Sequence, residues 1–215
     1  MDFYRIMGII SGLVVFATIF PYVTSILRKE TIPNRVTWII WSSLGLVLFF
    51  NTKASGATET LWFAIIGFTN PFIIFLFSLK YGVKKWTLLD AMCLAGAALG
   101  LLGWKLSGKP QIGIVFFFAA DLCGLIPTVK KVRRDPTSES FWGWIPYPFG
   151  CAFGILAIQE WKFGIWAYPV FGVVASLFVV KPLVEYHSAR WYEANRFNDA
   201  KNLAATLDNF EARAS

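Results

Sequence analysis

Charge is what this chain has least of. Only 15% of its 215 residues are Asp, Glu, Lys or Arg, where a soluble domain carries roughly a quarter. That deficit comes with 56% hydrophobic and 18% aromatic residues and a mean hydropathy of +0.56, which excludes an ordinary soluble domain. Histidine is nearly absent as well: His187 is the single one, and it stands just beyond the last apolar run, where solvation is expected. With one histidine, no paired carboxylates and no nucleophile–base spacing, the residues for an enzyme are missing. The three cysteines, Cys93, Cys123 and Cys151, fall inside apolar runs without metal-ligand spacing and read as small packing residues. No cofactor and no metal site are expected.

What is present is apolar length. Crossing ~30 Å of hydrocarbon takes about 17–25 residues in a helix. Seven runs qualify, at about 6–27, 36–52, 60–79, 87–104, 111–129, 141–159 and 164–186, joined by short charged or Gly/Pro-punctuated turns. A transmembrane β-barrel would alternate polarity over segments of about ten residues, and continuous runs such as IGIVFFFAADLCGLIP (112–127) do not. The first run lacks a small-x-small cleavage site and reads as a retained span.

The net charge of +7 is a topology signal, not a nucleic-acid signal. With seven spans, the turns after spans one, three and five and the C-terminal tail share one side and hold fourteen of the lysines and arginines. The opposite side holds five: Arg5, Lys53, Lys105, Lys109 and Lys162. Positive loops stay cytoplasmic, so the expected topology is N-terminus outside, C-terminus inside, in a cell (plasma or inner) membrane.

One stretch recurs. Residues 21–41, PYVTSILRKETIPNRVTWIIW, align without a gap on residues 127–147, PTVKKVRRDPTSESFWGWIPY, 106 positions later. Pro127 falls on Pro21, Val129 on Val23, Arg134 on Arg28, Thr137 on Thr31, Trp144 on Trp38 and Tyr147 on Trp41. LWFAIIG (61–67) likewise resembles IWAYPVFG (165–172), and the run at 87–104 has no partner. The expected fold is therefore all-α integral membrane, with seven transmembrane helices as two parallel three-helix bundles joined by a linker helix. Its units are residues 1–82, linker 83–108, residues 109–186, and a cytoplasmic helical tail at 187–215. An odd linker is what two same-sense repeats require.

This pattern resembles the SWEET/PQ-loop superfamily of small membrane transporters over about residues 6–186. The resemblance implies a solute site between the bundles near the bilayer midplane, with alternating access by rocking of one bundle on the other. It departs from the family in having Pro21-Tyr22 and Pro127-Thr128 in place of Pro-Gln. It also lacks a proline in span 36–52, although Pro146 or Pro148 is available in the second unit.

Polar residues inside the spans mark the candidate site, because an ionisable group there costs about 2.5–3.5 kcal/mol on insertion scales. Asp121, whose counterpart in the first unit is Val15, is the proton-coupling candidate; its plainer role is a hydrogen-bonded acid between helices. The resemblance implies solute contact by Asn70. The matching place in span seven holds Ala175 and Ser176, of which Ser176 is a candidate solute contact; the asparagine is thus unpaired by symmetry, which argues against sugar. Trp41 and Tyr147, one turn below the basic loops, could stack on an organic solute, whereas Trp38, Trp142 and Trp144 read as membrane-interface aromatics. Pro21 and Pro127 are candidate hinges, since proline removes a helix hydrogen bond and bends the helix. Asp90 reads as a helix-start acid.

Lys181 in span seven raises a retinal-binding, rhodopsin-like alternative, but its place near the membrane surface lets it snorkel or pair with Glu185. The tail carries Trp191, Phe197, Leu203, Leu207 and Phe210 at helical spacing, suited to lying on the membrane or docking a partner protein or second copy. The expected activity is transport of a small polar solute (sugar, amino acid or similar metabolite), with proton coupling as an option. The alternative is a non-transporting receptor or assembly factor on the same scaffold. The expected partners are the solute and the lipid bilayer.

Overall fold

A chain this apolar has to satisfy its backbone within each segment, and a helix does so. The computed structural model describes residues 2–85, 87–107 and 110–214, and every regular element among them is helical. In order these are α1 (Phe3–Ala17), α2 (Ile19–Leu27), α3 (Arg35–Ala54), α4 (Leu61–Tyr81), α5 (Leu88–Ser107) and α6 (Pro110–Arg134). After a 3-10 turn (Pro136–Ser138) come α7 (Phe141–Trp144), α8 (Pro146–Leu156) and α9 (Phe163–Ala214). Four stretches among the described residues are long and apolar enough to cross a membrane: Phe3–Leu27, Arg35–Ala54, Leu61–Tyr81 and Phe163–Asn198. The chain is an all-helical membrane protein at that level.

The expected runs at 87–104 and 111–129 coincide with α5 and α6, some of whose side chains lie outside the described residues, as does the 108/109 boundary. The run at 141–159 is not one helix: it breaks at Ile145, with Pro146 opening α8. Pro148 supplies the reason, since it cannot donate to the carbonyl of Trp144 and its ring crowds that carbonyl. The first run breaks in the same way at Thr18, three residues before Pro21. Pro71, Pro127, Pro169 and Pro182 instead lie inside unbroken helices.

Helix α1 packs on α4 and α8, and α6 packs on α9 and α3; α3 also packs on α4, α8 on α9, and α5 on α6. A shift of 106 residues carries α1 onto α6, α3 onto α7–α8 and α4 onto α9, and under it these pairings, that of α5 with α6 apart, map onto one another. The two seams are built alike. Ser11 Oγ donates to the Gly150 carbonyl at 2.7 Å between α1 and α8, and Thr37 Oγ1 donates to the Gly124 carbonyl at 3.2 Å between α3 and α6. A side chain at Gly150 would strike Val15, and one at Gly124 would strike the Trp41 indole, so glycine sets the approach of each pair.

Helix α5 is tied to α3 by its first turn. Asp90 accepts from the Thr87 backbone N–H at 2.9 Å and from Asn34 Nδ2 at 2.7 Å, while Asn34 Oδ1 caps α3 through Val36 N–H at 2.8 Å. Asp90 is thus a helix-start acid that also holds a neighbouring cap.

The tail is helical but is not a separate element. Helix α9 runs on to Ala214, and no Gly or Pro follows Pro182 to stop it. Trp191, Tyr192 and Phe197 are exposed on it. The side chains of Leu203, Leu207 and Phe210 lie outside the described residues.

Candidate functional site

A cavity of about 90 Å³ lies on the seam between the two halves. Since ~10–15 Å³ holds one water, the space suits a few waters or a small solute. Its wall takes Val15 from α1, Tyr22 from α2, Trp38 and Trp41 from α3, and Asn70, Pro71 and Ile74 from α4. The second half supplies Asp121 and Leu125 from α6, Trp144 from α7, Tyr147 from α8, and Tyr168, Phe171, Ala175 and Ser176 from α9. Among the described residues α5 contributes nothing to it.

All five candidate contact residues, Trp41, Asn70, Asp121, Tyr147 and Ser176, therefore meet in one wall. The candidate hinges Pro21 and Pro127 do not line it.

Asn70 is 5% exposed and sits directly before Pro71. Its Nδ2 donates to the Val15 carbonyl at 2.6 Å and to Thr18 Oγ1 at 3.3 Å. The amide thus braces the break between α1 and α2, where backbone groups lose their helical partners. Among the described residues its Oδ1 is buried without a partner, as is Trp41 Nε1, which packs on Gly124. Each such orphan costs about 1–3 kcal/mol and calls for an explanation.

Asp121 is 7% exposed in the cavity wall and makes no ion pair among the described residues. Ser176 donates to the Val173 carbonyl of its own helix at 2.9 Å. The hydroxyls of Tyr147 and Tyr168 face one another at 3.4 Å, and Tyr168 packs on Phe63 and Phe117.

The wall carries a chain of edge-to-face rings: Tyr22 on Trp38 at 5.1 Å, Trp38 on Trp41 at 5.1 Å, and Trp41 on Trp144 at 5.8 Å. The expectation that Trp38 and Trp144 face the membrane interface is corrected here. Both are buried (7% exposed), and only Trp142, at 66%, stands outward. An aromatic at a span end looks the same in sequence whether it meets lipid or a neighbouring helix.

Behind these rings lies a residue that sequence reasoning missed. Glu139 is buried; its Oε2 accepts from Tyr22 Oη at 2.8 Å and Trp144 Nε1 at 3.1 Å, and its Oε1 pairs with Lys131 Nζ at 2.7 Å. Lys131 also donates to the carbonyls of Ile32 at 3.1 Å and Ser138 at 3.2 Å. The hub joins both halves at the basic-turn end and divides the central cavity from a second one of about 590 Å³. That cavity is lined by Pro21, Arg28, Glu30, Glu139, His187 and Arg190, among others. The one available signal was an acid inside a basic, threonine- and serine-rich turn between two spans.

Lys181 is exposed, 3.8 Å from Glu185, and does not line the central cavity. Among the described residues no lysine, arginine or histidine does, and no three His, Cys, Asp or Glu side chains gather as a metal site. Compared with protein families, with characterised proteins and with solved structures, the chain gives no significant match to any of them.

Proposed function

We propose that this chain is a transporter of a small polar solute, of the SWEET/PQ-loop kind. Access alternates between two three-helix units, α1–α4 and α6–α9, with α5 as the linker and the basic turns on the cytoplasmic side. The carrying observation is the cavity on the seam, walled by every helix of both units and holding Asn70 and Asp121 at depth. Binding at a repeat interface is where a rocking carrier needs its site.

Two further features support the reading. The two seams carry matching glycine-and-hydroxyl contacts, the small-residue packing that lets helices slide at close approach. The orphaned Trp41 Nε1 and Asn70 Oδ1 sit beside the surfaces that would slide, so a second arrangement could give them partners. Toward the basic turns the cavity wall is built by the aromatic chain, with Glu139 bonded behind it.

The test is uptake by proteoliposomes carrying the full chain, offered sugars, amino acids and amines, with and without a pH gradient. Flux of any one solute above empty vesicles supports transport. A second reading, a non-transporting receptor, draws on the long α9 with Trp191, Tyr192 and Phe197 exposed. Specific binding with no flux would favour it.

A further inference from the structure

We infer that the solute is a small organic cation, exchanged for a proton at Asp121. This deepens the transporter reading above and rests on it.

The wall is one-sided in charge. Asp121 is its carboxylate, and no basic side chain among the described residues faces it. Its titratable neighbours are Tyr147 and Cys151 from α8 and Tyr168 from α9. Tyr22 from α2 lines the same wall, and among the described residues α3 and α5 bring no titratable group to it. Phenols and thiols are neutral at pH 7 by their ordinary pKa values, so Asp121 alone brings formal charge to this wall. An anionic solute would meet it without a counter-ion at membrane depth, where repulsion is weakly screened.

A neutral polyol finds few open partners, chiefly Asn70 Oδ1 and Trp41 Nε1, because the other polar groups of the wall are engaged. Asn70 Nδ2 is used by Val15 and Thr18, Ser176 donates within its helix, and Tyr147 and Tyr168 face each other. A solute rich in hydroxyls would give up its water for few partners. An alkylammonium or guanidinium compound needs less: one carboxylate and ring faces, which attract cations. The wall offers both, in a space of about 90 Å³.

A lone carboxylate at this depth is held either protonated or beside a cation. Asp121 cannot do both at once. On cation arrival the carboxyl O–H bond breaks, the proton passes to water on the side to which the cavity is open, and the carboxylate keeps the electron pair. On the other side a proton from water re-forms the O–H bond and the cation leaves. Mutual exclusion at one group enforces exchange of one monovalent cation for one proton, so the cycle moves no net charge.

The experiment uses the full chain in proteoliposomes clamped at zero potential, acidic inside, offered tetramethylammonium, choline, guanidinium, glucose and lactate separately. The expected result is concentrative uptake of at least one cation, unchanged when a potential is imposed and lost in Asp121→Asn. Should that variant fail to fold, the unmodified chain in detergent still decides. Cation affinity should fall about tenfold per pH unit on the acid side of the carboxyl titration, with about one proton released per cation bound. Glucose or lactate uptake with all cations excluded overturns the inference and leaves the transporter reading standing. Cation binding with proton release and no flux keeps the site and overturns the transporter reading. Cation affinity that ignores pH overturns the exchange.

Discussion

Pro21 and Pro127 stand 106 residues apart in matching sequence, yet the helix before Pro21 breaks at Thr18 while α6 passes through Pro127 from Pro110 to Arg134 unbroken. What lies across from each accounts for the difference. Near Pro21 the Asn70 amide reaches the Val15 carbonyl, which also accepts from the Thr18 N–H and hydroxyl, and Thr18 Oγ1, and so braces the broken form. In the second half the corresponding place on α9 is Ser176, which turns back to its own helix. The place of Val15 is taken by Asp121. A shared scaffold therefore carries unshared chemistry: one half uses its polar side chain on a bend, and the other sets an acid in the cavity wall.

Asn70→Ala should have the largest effect among substitutions that probe this contrast. Uptake is expected to fall to background, and the loss of a buried donor to Val15 should cost about 1–3 kcal/mol of stability, read as a drop in thermal midpoint. Ser176→Ala, its positional equivalent, should leave the midpoint nearly unchanged. Next comes the proline pair. Pro21→Ala restores an N–H able to reach the Ala17 carbonyl, so α1 and α2 should fuse and uptake should slow, whereas Pro127→Ala should alter it much less. Equal effects would erase the asymmetry between the two bends.

Glu139→Gln ranks third. The amide keeps partners for Tyr22 and Trp144 but loses the charge opposite Lys131, which is only partly buried; a loss of about 1–2 kcal/mol is expected. The basic-turn end should open more often, measured as faster tryptophan quenching by an aqueous quencher. Glu160→Gln should do least. Its partner Lys162 holds the Glu160 carboxyl below its ordinary value, so the pair contributes above the unfolded carboxylate range and fades as pH falls through the lowered one. It is fully exposed and screened, and the melting midpoint should not move.

Much of the fold was legible because membrane helices announce themselves through apolar length. The residues that share the cavity wall were legible because the repeat alignment put Trp41 and Tyr147 in register, and the bilayer makes Asn70 and Asp121 conspicuous. The break at Thr18 was not, because whether a proline interrupts its helix depends on a partner 52 residues away. Glu139 was not either, since an acid among lysines and arginines in a turn reads as solvated until Tyr22 and Trp144 are seen to close over it. The continuity of α9 into the tail could have been read from the absence of Gly and Pro after Pro182, had the tail not been treated as a unit of its own.

Alternating access to the seam is the central claim, and side-specific labelling tests it most directly. Ser176→Cys, in a chain whose three native cysteines are replaced by alanine or serine, would be exposed in oriented vesicles to a small membrane-impermeant thiosulfonate. Modification from either side, with the balance shifted by a transported cation or by pH, is the result this account predicts. Modification from one side only under every condition, or from neither, would contradict it.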